Sequence, residues 1–93
     1  MKYAIICVDD EPTLLNALRQ ELRRELGKNY SIEIANSAEE ALELIEELKE
    51  QTFTVPLIIS DQLMPGMKGD ELLIEINRRL PKAQKILLSG QAP

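Results

Sequence analysis

Two short, almost wholly apolar runs, each followed by an aspartate, limit the folds open to this chain more than any other feature. Residues 3–8 read Tyr-Ala-Ile-Ile-Cys-Val before Asp9, and residues 55–60 read Val-Pro-Leu-Ile-Ile-Ser before Asp61. Uninterrupted apolar runs of this length are typical of strands buried on both faces of a parallel sheet. Helices must then cover both faces, so the sequence predicts an α/β fold.

Helical spacing of apolar residues separates the predicted strands. Pro12 fits the first turn of a first helix and Gly27 its end, and between them the leucines that recur at helical spacing are Leu14, Leu15, Leu18, Leu22 and Leu26. Residues 31–35 predict a short second strand. Ser37 and Glu40 form a capping-box pattern that opens a second helix, whose buried stripe is Ala38, Ala41, Leu42, Ile45 and Leu48.

After Asp61 the sequence predicts one more helix and one more strand. The third helix spans about residues 70–80 with Leu72, Leu73 and Ile76 inward, and residues 85–88 form a fourth strand. Alternation of strands and helices implies a single domain with a parallel sheet and right-handed crossovers. In such sheets the functional crevice lies at the carboxyl ends of the strands.

Polar residues gather at those predicted strand ends. Asp9 and Asp10 follow the first strand, Asp61 follows the third and Ser89 the fourth. If the first and third strands are neighbours, three carboxylates converge, and a hard divalent cation such as Mg²⁺ would offset their repulsion. With no histidine and one cysteine, Cys7, a zinc site is not supported. These parts suit phosphoryl transfer to an aspartate, although each residue alone is typical of a helix cap or a turn.

Three segments, in order, resemble the response regulator receiver family of two-component signalling. They are residues 5–11 (Ile-Ile-Cys-Val-Asp-Asp-Glu), 58–69 (Ile-Ile-Ser-Asp-Gln-Leu-Met-Pro-Gly-Met-Lys-Gly) and 86–92 (Ile-Leu-Leu-Ser-Gly-Gln-Ala). The resemblance implies a flavodoxin-like doubly wound parallel sheet of strand order 2-1-3-4 with three helices. It also implies Mg²⁺ as cofactor and, as partner, a sensor histidine kinase or a phosphotransfer protein.

The family's site residues carry over onto five positions. Asp61 matches the phosphoacceptor, Asp10 the direct metal-binding acid and Asp9 its water-mediated companion. The backbone carbonyl of Leu63 matches a metal ligand, and Ser89 matches the switch hydroxyl. The resemblance also implies a departure, since residues 1–93 would lack the family's last helix, fifth strand and final helix. The lysine of that fifth strand has no counterpart, because Lys82 and Lys85 precede the carboxyl end of the fourth strand and Lys68 is at most a weak substitute.

Several functional expectations follow. The truncated edge predicts a homo-oligomer or a partner that covers it. A net charge of −5 disfavours nucleic acid as a partner, and the absence of a long apolar run or of a signal peptide predicts a cytoplasmic protein without a membrane partner.

We expect a phosphorylatable receiver rather than an enzyme. The alternative is a pseudo-receiver that acts as an oligomerisation or docking module. A Mg²⁺-dependent phosphohydrolase is disfavoured because Leu63 stands where that chemistry needs a second acid.

Overall fold

A computed structural model describes residues 2–61, 67 and 69–88 of the 93-residue chain. Strands and helices alternate along it as the sequence predicts: β1 (Lys2–Val8), α1 (Pro12–Leu26), β2 (Ser31–Ala35), α2 (Ala38–Glu50), β3 (Phe53–Asp61), α3 (Gly69–Arg79) and β4 (Gln84–Leu88). The predicted strands and helices are all present. The largest differences in their bounds are at β3, which starts two residues earlier and includes Asp61 itself.

The four strands form one parallel sheet of order β2-β1-β3-β4, which confirms the predicted topology. At the centre, Ile5 of β1 is aligned with Ile32 of β2 and Leu57 of β3. The order reverses between β1 and β3, so the carboxyl ends of these two neighbours lie together at the point where such sheets carry their sites.

A β-bulge interrupts the pairing of β1 with β3. Tyr3 is aligned with Thr54 but Ile5 with Leu57, so β3 has one extra residue over this interval. Pro56, which has no N–H to donate, falls within the bulge. The extra residue lets Val55 and Ile58, three positions apart, both face the same core. Downstream of the bulge the register is regular, with Val8 aligned with Ser60.

Apolar side chains bury both faces of the sheet. On the face covered by α2 and α3, the fully buried larger side chains are Ile6, Ile45, Ile58, Leu72 and Ile76. On the other face, α1 packs Leu15 against Ile5, Cys7 and Ile32. Leu18, Leu22 and Leu26 join this second core in part, but Leu14 is 61% exposed. Leu14 lies on the side of α1 that points toward Ile59 and Leu88, where the described part of the chain places no further element.

The helix ends follow the sequence signals with two differences of detail. The Ser37 hydroxyl accepts from the Glu40 N–H at 3.1 Å, whereas the Glu40 carboxylate accepts from the N–H of Asn36 at 3.3 Å rather than from that of the cap residue. Gly27 ends α1 in a right-handed conformation, with φ −64°. Glycine is favoured there because an added Cβ would collide with the carbonyl oxygen of Arg23.

Candidate functional site: a carboxylate cluster at the sheet's carboxyl edge

Three carboxylates meet where β1 and β3 end. Asp9 directly follows β1, and Asp61 is the last residue of β3. The alignment of Val8 with Ser60 places Asp9 level with Asp61 on the neighbouring strand. One carboxylate oxygen from each of Asp9, Asp10 and Asp61 lies within 4.8 Å of the other two. The strand order therefore brings together residues that are 52 positions apart in the chain.

Asp9 is held at the start of α1 by its own side chain. Its Oδ1 accepts a hydrogen bond from the backbone N–H of Glu11 at 2.9 Å. Burial raises the pKa of the Asp9 carboxyl above its ordinary value, the nearby charges of Asp61 and Asp10 raise it further, and the Glu11 N–H opposes the rise. Asp9 thus orders the first turn of the helix and also faces two like charges.

The donor set of this cluster fits a hard divalent cation. All three side chains offer carboxylate oxygens, which are the ligands that Mg²⁺ and Ca²⁺ prefer. Two of the carboxylates are half-buried and one is exposed, so water or a phosphate group can reach the same point. A cation at this point would offset the repulsion among the three carboxylates, which adds to burial in raising the pKa of Asp9.

Ser60, next to Asp61 near the carboxyl end of β3, was not among the site residues predicted from the sequence. Its side chain is fully buried, and its hydroxyl donates to the backbone carbonyl oxygen of Asp61 at 3.1 Å. The signal was a polar residue within an apolar strand, directly before Asp61. Cys7, also in this part of the sheet, is buried with its pKa raised to about 11 by burial, so it is an unreactive core thiol.

Some of the predicted site residues lie outside the described part of the chain. These are Leu63, Ser89 and the weak substitute Lys68. Lys85 is described, and its Nζ donates to carbonyl oxygens of Leu80 and Pro81 at the end of α3. Lys85 therefore lies toward the amino-terminal end of the strands, as predicted from the sequence, and its Nζ contacts the end of α3 rather than the carboxylate cluster.

An apolar pocket of about 200 Å³ adjoins the cluster on the α1 face of the sheet. Asp9 forms part of its wall, and its apolar lining consists of Val8, Leu14, Leu15, Leu18, Ile59 and Leu88. The pocket connects the carboxylates to the β4 edge, where Ile86, Leu87 and Leu88 are 45%, 39% and 46% exposed. The acidic site and the exposed edge are thus neighbouring surfaces. None of the helices within residues 2–61 and 69–88 has the length and apolar character needed to cross a membrane.

Comparisons with known proteins agree on one family. The model of the response regulator receiver domain matches residues 5–93. The hydrogenase transcriptional regulatory protein HoxA of Cupriavidus necator is 36% identical over 86 residues, which are 92% of this chain and 16% of HoxA. The chain therefore spans a small part of this relative's length.

Solved structures give the same result. A CheY-like receiver domain protein from Methanospirillum hungatei superposes with a TM-score of 0.82 at 32% identity, covering 100% of this chain and 68% of that one. The response regulator TrrA from Thermotoga maritima, solved in complex with Mg²⁺-BeF, gives a TM-score of 0.77 at 37% identity, covering 99% of this chain and 72% of that one.

Proposed function

This chain belongs to the response regulator receiver domain family, and we propose that it serves two-component signalling as a phosphoacceptor with Asp61 as the phosphorylated residue. The observation that carries the proposal is the meeting of Asp9, Asp10 and Asp61 within 4.8 Å at the switch point of the sheet. Asp61 is the member of the cluster that ends a central strand: its backbone is paired with Leu88 of β4, and the preceding Ser60 is paired with Val8 of β1.

The proposed reaction is a phosphoryl transfer without turnover of a free substrate. A carboxylate oxygen of Asp61 attacks the phosphorus atom, a new O–P bond forms, and the bond from phosphorus to the donor breaks so that the donor leaves with that electron pair. A phosphohistidine of a sensor kinase or phosphotransfer protein, or a small acyl phosphate, is the proposed donor. The product is an acyl phosphate on Asp61, and its hydrolysis resets the domain.

Mg²⁺ would be held by the carboxylates of Asp9, Asp10 and Asp61. The backbone carbonyl of Leu63, which lies outside the described residues, is proposed as a further ligand. The chemistry that such an ion would supply is neutralisation of the negative charge on the oxygens of the phosphoryl group. The hydrogen bond from the Glu11 N–H keeps Asp9 turned toward this point. Ser89 is proposed as the hydroxyl that responds to phosphorylation.

We further propose that the chain forms a homo-oligomer through β4. The described residues supply no strand beyond this edge, and three successive apolar side chains are exposed there. Two copies paired antiparallel about Leu87 would place Ile86 of one copy opposite Leu88 of the other. This register sets each of the three apolar side chains beside an apolar side chain of the other copy and pairs the free backbone groups of both edges.

Intact mass after incubation with Mg²⁺ and acetyl phosphate tests the phosphoacceptor role. The expected result is a phosphoryl adduct on the wild type that is absent without Mg²⁺ and absent from Asp61→Asn. Asp70→Asn, which removes an aspartate at the start of α3, is the matched control and keeps the adduct. A folded wild type that gains no adduct would contradict the proposal and favour the alternative of a pseudo-receiver used for docking.

A further inference from the structure

Ser60 stands out because it is the single polar side chain among the fully buried residues of the described part of the chain. It lies on β3 between Ile59 and Asp61, level with Val8 on one side and Leu87 on the other. An apolar residue of similar volume would bury there without any polar atom to satisfy. The presence of a serine at this buried position is therefore explained by what its hydroxyl contacts.

The contact is with the residue that the proposed function depends on. Ser60 Oγ donates to the backbone carbonyl oxygen of Asp61 at 3.1 Å, and the pair is partly shielded from water. A buried hydroxyl without a partner would cost free energy, so this hydrogen bond is the favourable state of Ser60. The bond also fixes the orientation of the Asp61 carbonyl group at the end of β3.

The carboxylate of Asp61 needs such a fixed point. It lies close to the carboxylates of Asp9 and Asp10, and mutual repulsion favours movement of Asp61 away from them. Asp9 has a counterpart to the Ser60 bond, since the Glu11 N–H holds its side chain. On the β3 side, the buried hydroxyl of Ser60 supplies the corresponding restraint, through the main chain.

We propose that Ser60 is a positioning residue, whose buried hydroxyl holds the backbone of Asp61 so that its carboxylate stays within reach of Asp9 and Asp10. The inference rests on the proposed phosphoacceptor function and assigns a role that the carboxylates alone do not fill. Ser60 touches neither the donor nor the cation. It acts through Asp61, by keeping the cluster assembled before either one arrives.

The test compares Ser60→Ala and Ser60→Cys, which lose the strong donor, with Ser60→Thr, which keeps it. Mg²⁺ affinity is measured by calorimetry, and the initial rate of adduct formation by intact mass, at a temperature where urea curves show every variant to be folded. We expect Ser60→Ala and Ser60→Cys to weaken Mg²⁺ binding and slow uptake by about five- to tenfold, the loss that one hydrogen bond represents. Ser60→Thr should stay within about twofold of the wild type on the same scale.

The inference would be overturned if folded Ser60→Ala and Ser60→Cys kept the wild-type Mg²⁺ affinity and rate of adduct formation. It would also be overturned if a folded Ser60→Thr lost as much affinity and rate as these two variants, because altered packing would then be the cause. If Ser60→Thr does not fold, the Ala and Cys variants decide alone. A wild type that binds Mg²⁺ but takes no phosphoryl group contradicts the proposed function. The role of Ser60 is then still tested by comparing the Mg²⁺ affinities of the wild type and the Ser60 variants. A wild type that binds no Mg²⁺ overturns both.

Discussion

The Nζ of Lys85 lies 3.0 Å from the carbonyl oxygen of Leu80, and it also donates to Asn77 Oδ1 at 3.1 Å. These acceptors belong to the last turn of α3 and the residue after it. Carbonyl groups at the carboxyl end of a helix have no partner within the helix and carry partial negative charge. The one lysine within β4 is thus a cap for α3, which ties that helix to the edge strand.

Replacing Lys85 with methionine should therefore lower stability and leave phosphorylation intact. The change removes a charged donor from the part-buried carbonyl of Leu80, and we expect a loss of about 1.5–3 kcal/mol in the free energy of unfolding by urea. Lys82→Met is the matched control, since Lys82 is exposed in the turn before β4 and should change stability little. A phosphoryl adduct that disappears in Lys85→Met, while the variant remains folded, would contradict the assignment of Lys85 to the helix.

Neutralising Asp9 should stabilise the chain in the absence of divalent cations. Burial and two neighbouring charges disfavour its ionised form, so Asp9→Asn relieves repulsion and should raise the melting temperature without Mg²⁺. The further rise on adding Mg²⁺ should shrink in this variant, because one ligand is lost. Glu43→Gln also removes one negative charge, but from the exposed face of α2, and should leave the Mg²⁺ effect unchanged.

Thr52 is expected to be a site of backbone strain. Its φ is 64°, in the left-handed region that β-branched residues rarely adopt, at the turn between α2 and β3. Thr52→Gly should raise the free energy of unfolding by about 0.5–1 kcal/mol, the strain relieved less the extra chain entropy of glycine. Thr54→Gly, within β3, should destabilise instead. Equal effects of the two substitutions on urea unfolding would argue against strain at Thr52.

Cys7 gives a prediction for alkaline pH. Because burial raises the pKa of its thiol from 9.0 to about 11, the folded state retains a proton that the unfolded state releases in this interval. The contribution to stability is complete below pH 9 and is lost as the pH rises through about 11. The stability difference between wild type and Cys7→Ala should shrink over this range, and a thiol reagent at pH 8 should label Cys7 only after unfolding.

Charge on the β4 edge should abolish the proposed oligomer. Leu87 is the centre of the proposed antiparallel pairing and is 39% exposed in the single chain. Leu87→Lys places a like charge of each copy at the same point, so sedimentation velocity should show a monomer where the wild type sediments as a dimer or larger species. Ile74→Lys, at an exposed apolar residue of α3, is the control. A wild type that stays monomeric at all concentrations would contradict the proposal.

Local patterns in the sequence were sufficient to predict most of the fold. The apolar runs before Asp9 and Asp61 predict strands covered on both faces, and Pro12 and Ser37 mark helix starts, because these signals act within one turn of the chain. Placing the carboxylates at strand ends also needed no tertiary information. What strand order to expect came from the family resemblance, since local periodicity does not determine which strands become neighbours.

The tertiary structure alone decided three features. The bulge around Pro56 sets the register that brings Asp61 level with Asp9, and register depends on pairing between strands that are distant in the chain. The exposure of Leu14 depends on what packs beside α1, whereas its helical spacing matches that of the partly buried Leu18 and Leu22. The proposed role of Ser60 rests on its burial and on its hydrogen bond to the Asp61 carbonyl oxygen, neither of which local sequence predicts. Sequence thus determined which chemical groups lie at the carboxyl ends of the strands, and long-range packing determined how these groups are placed relative to one another.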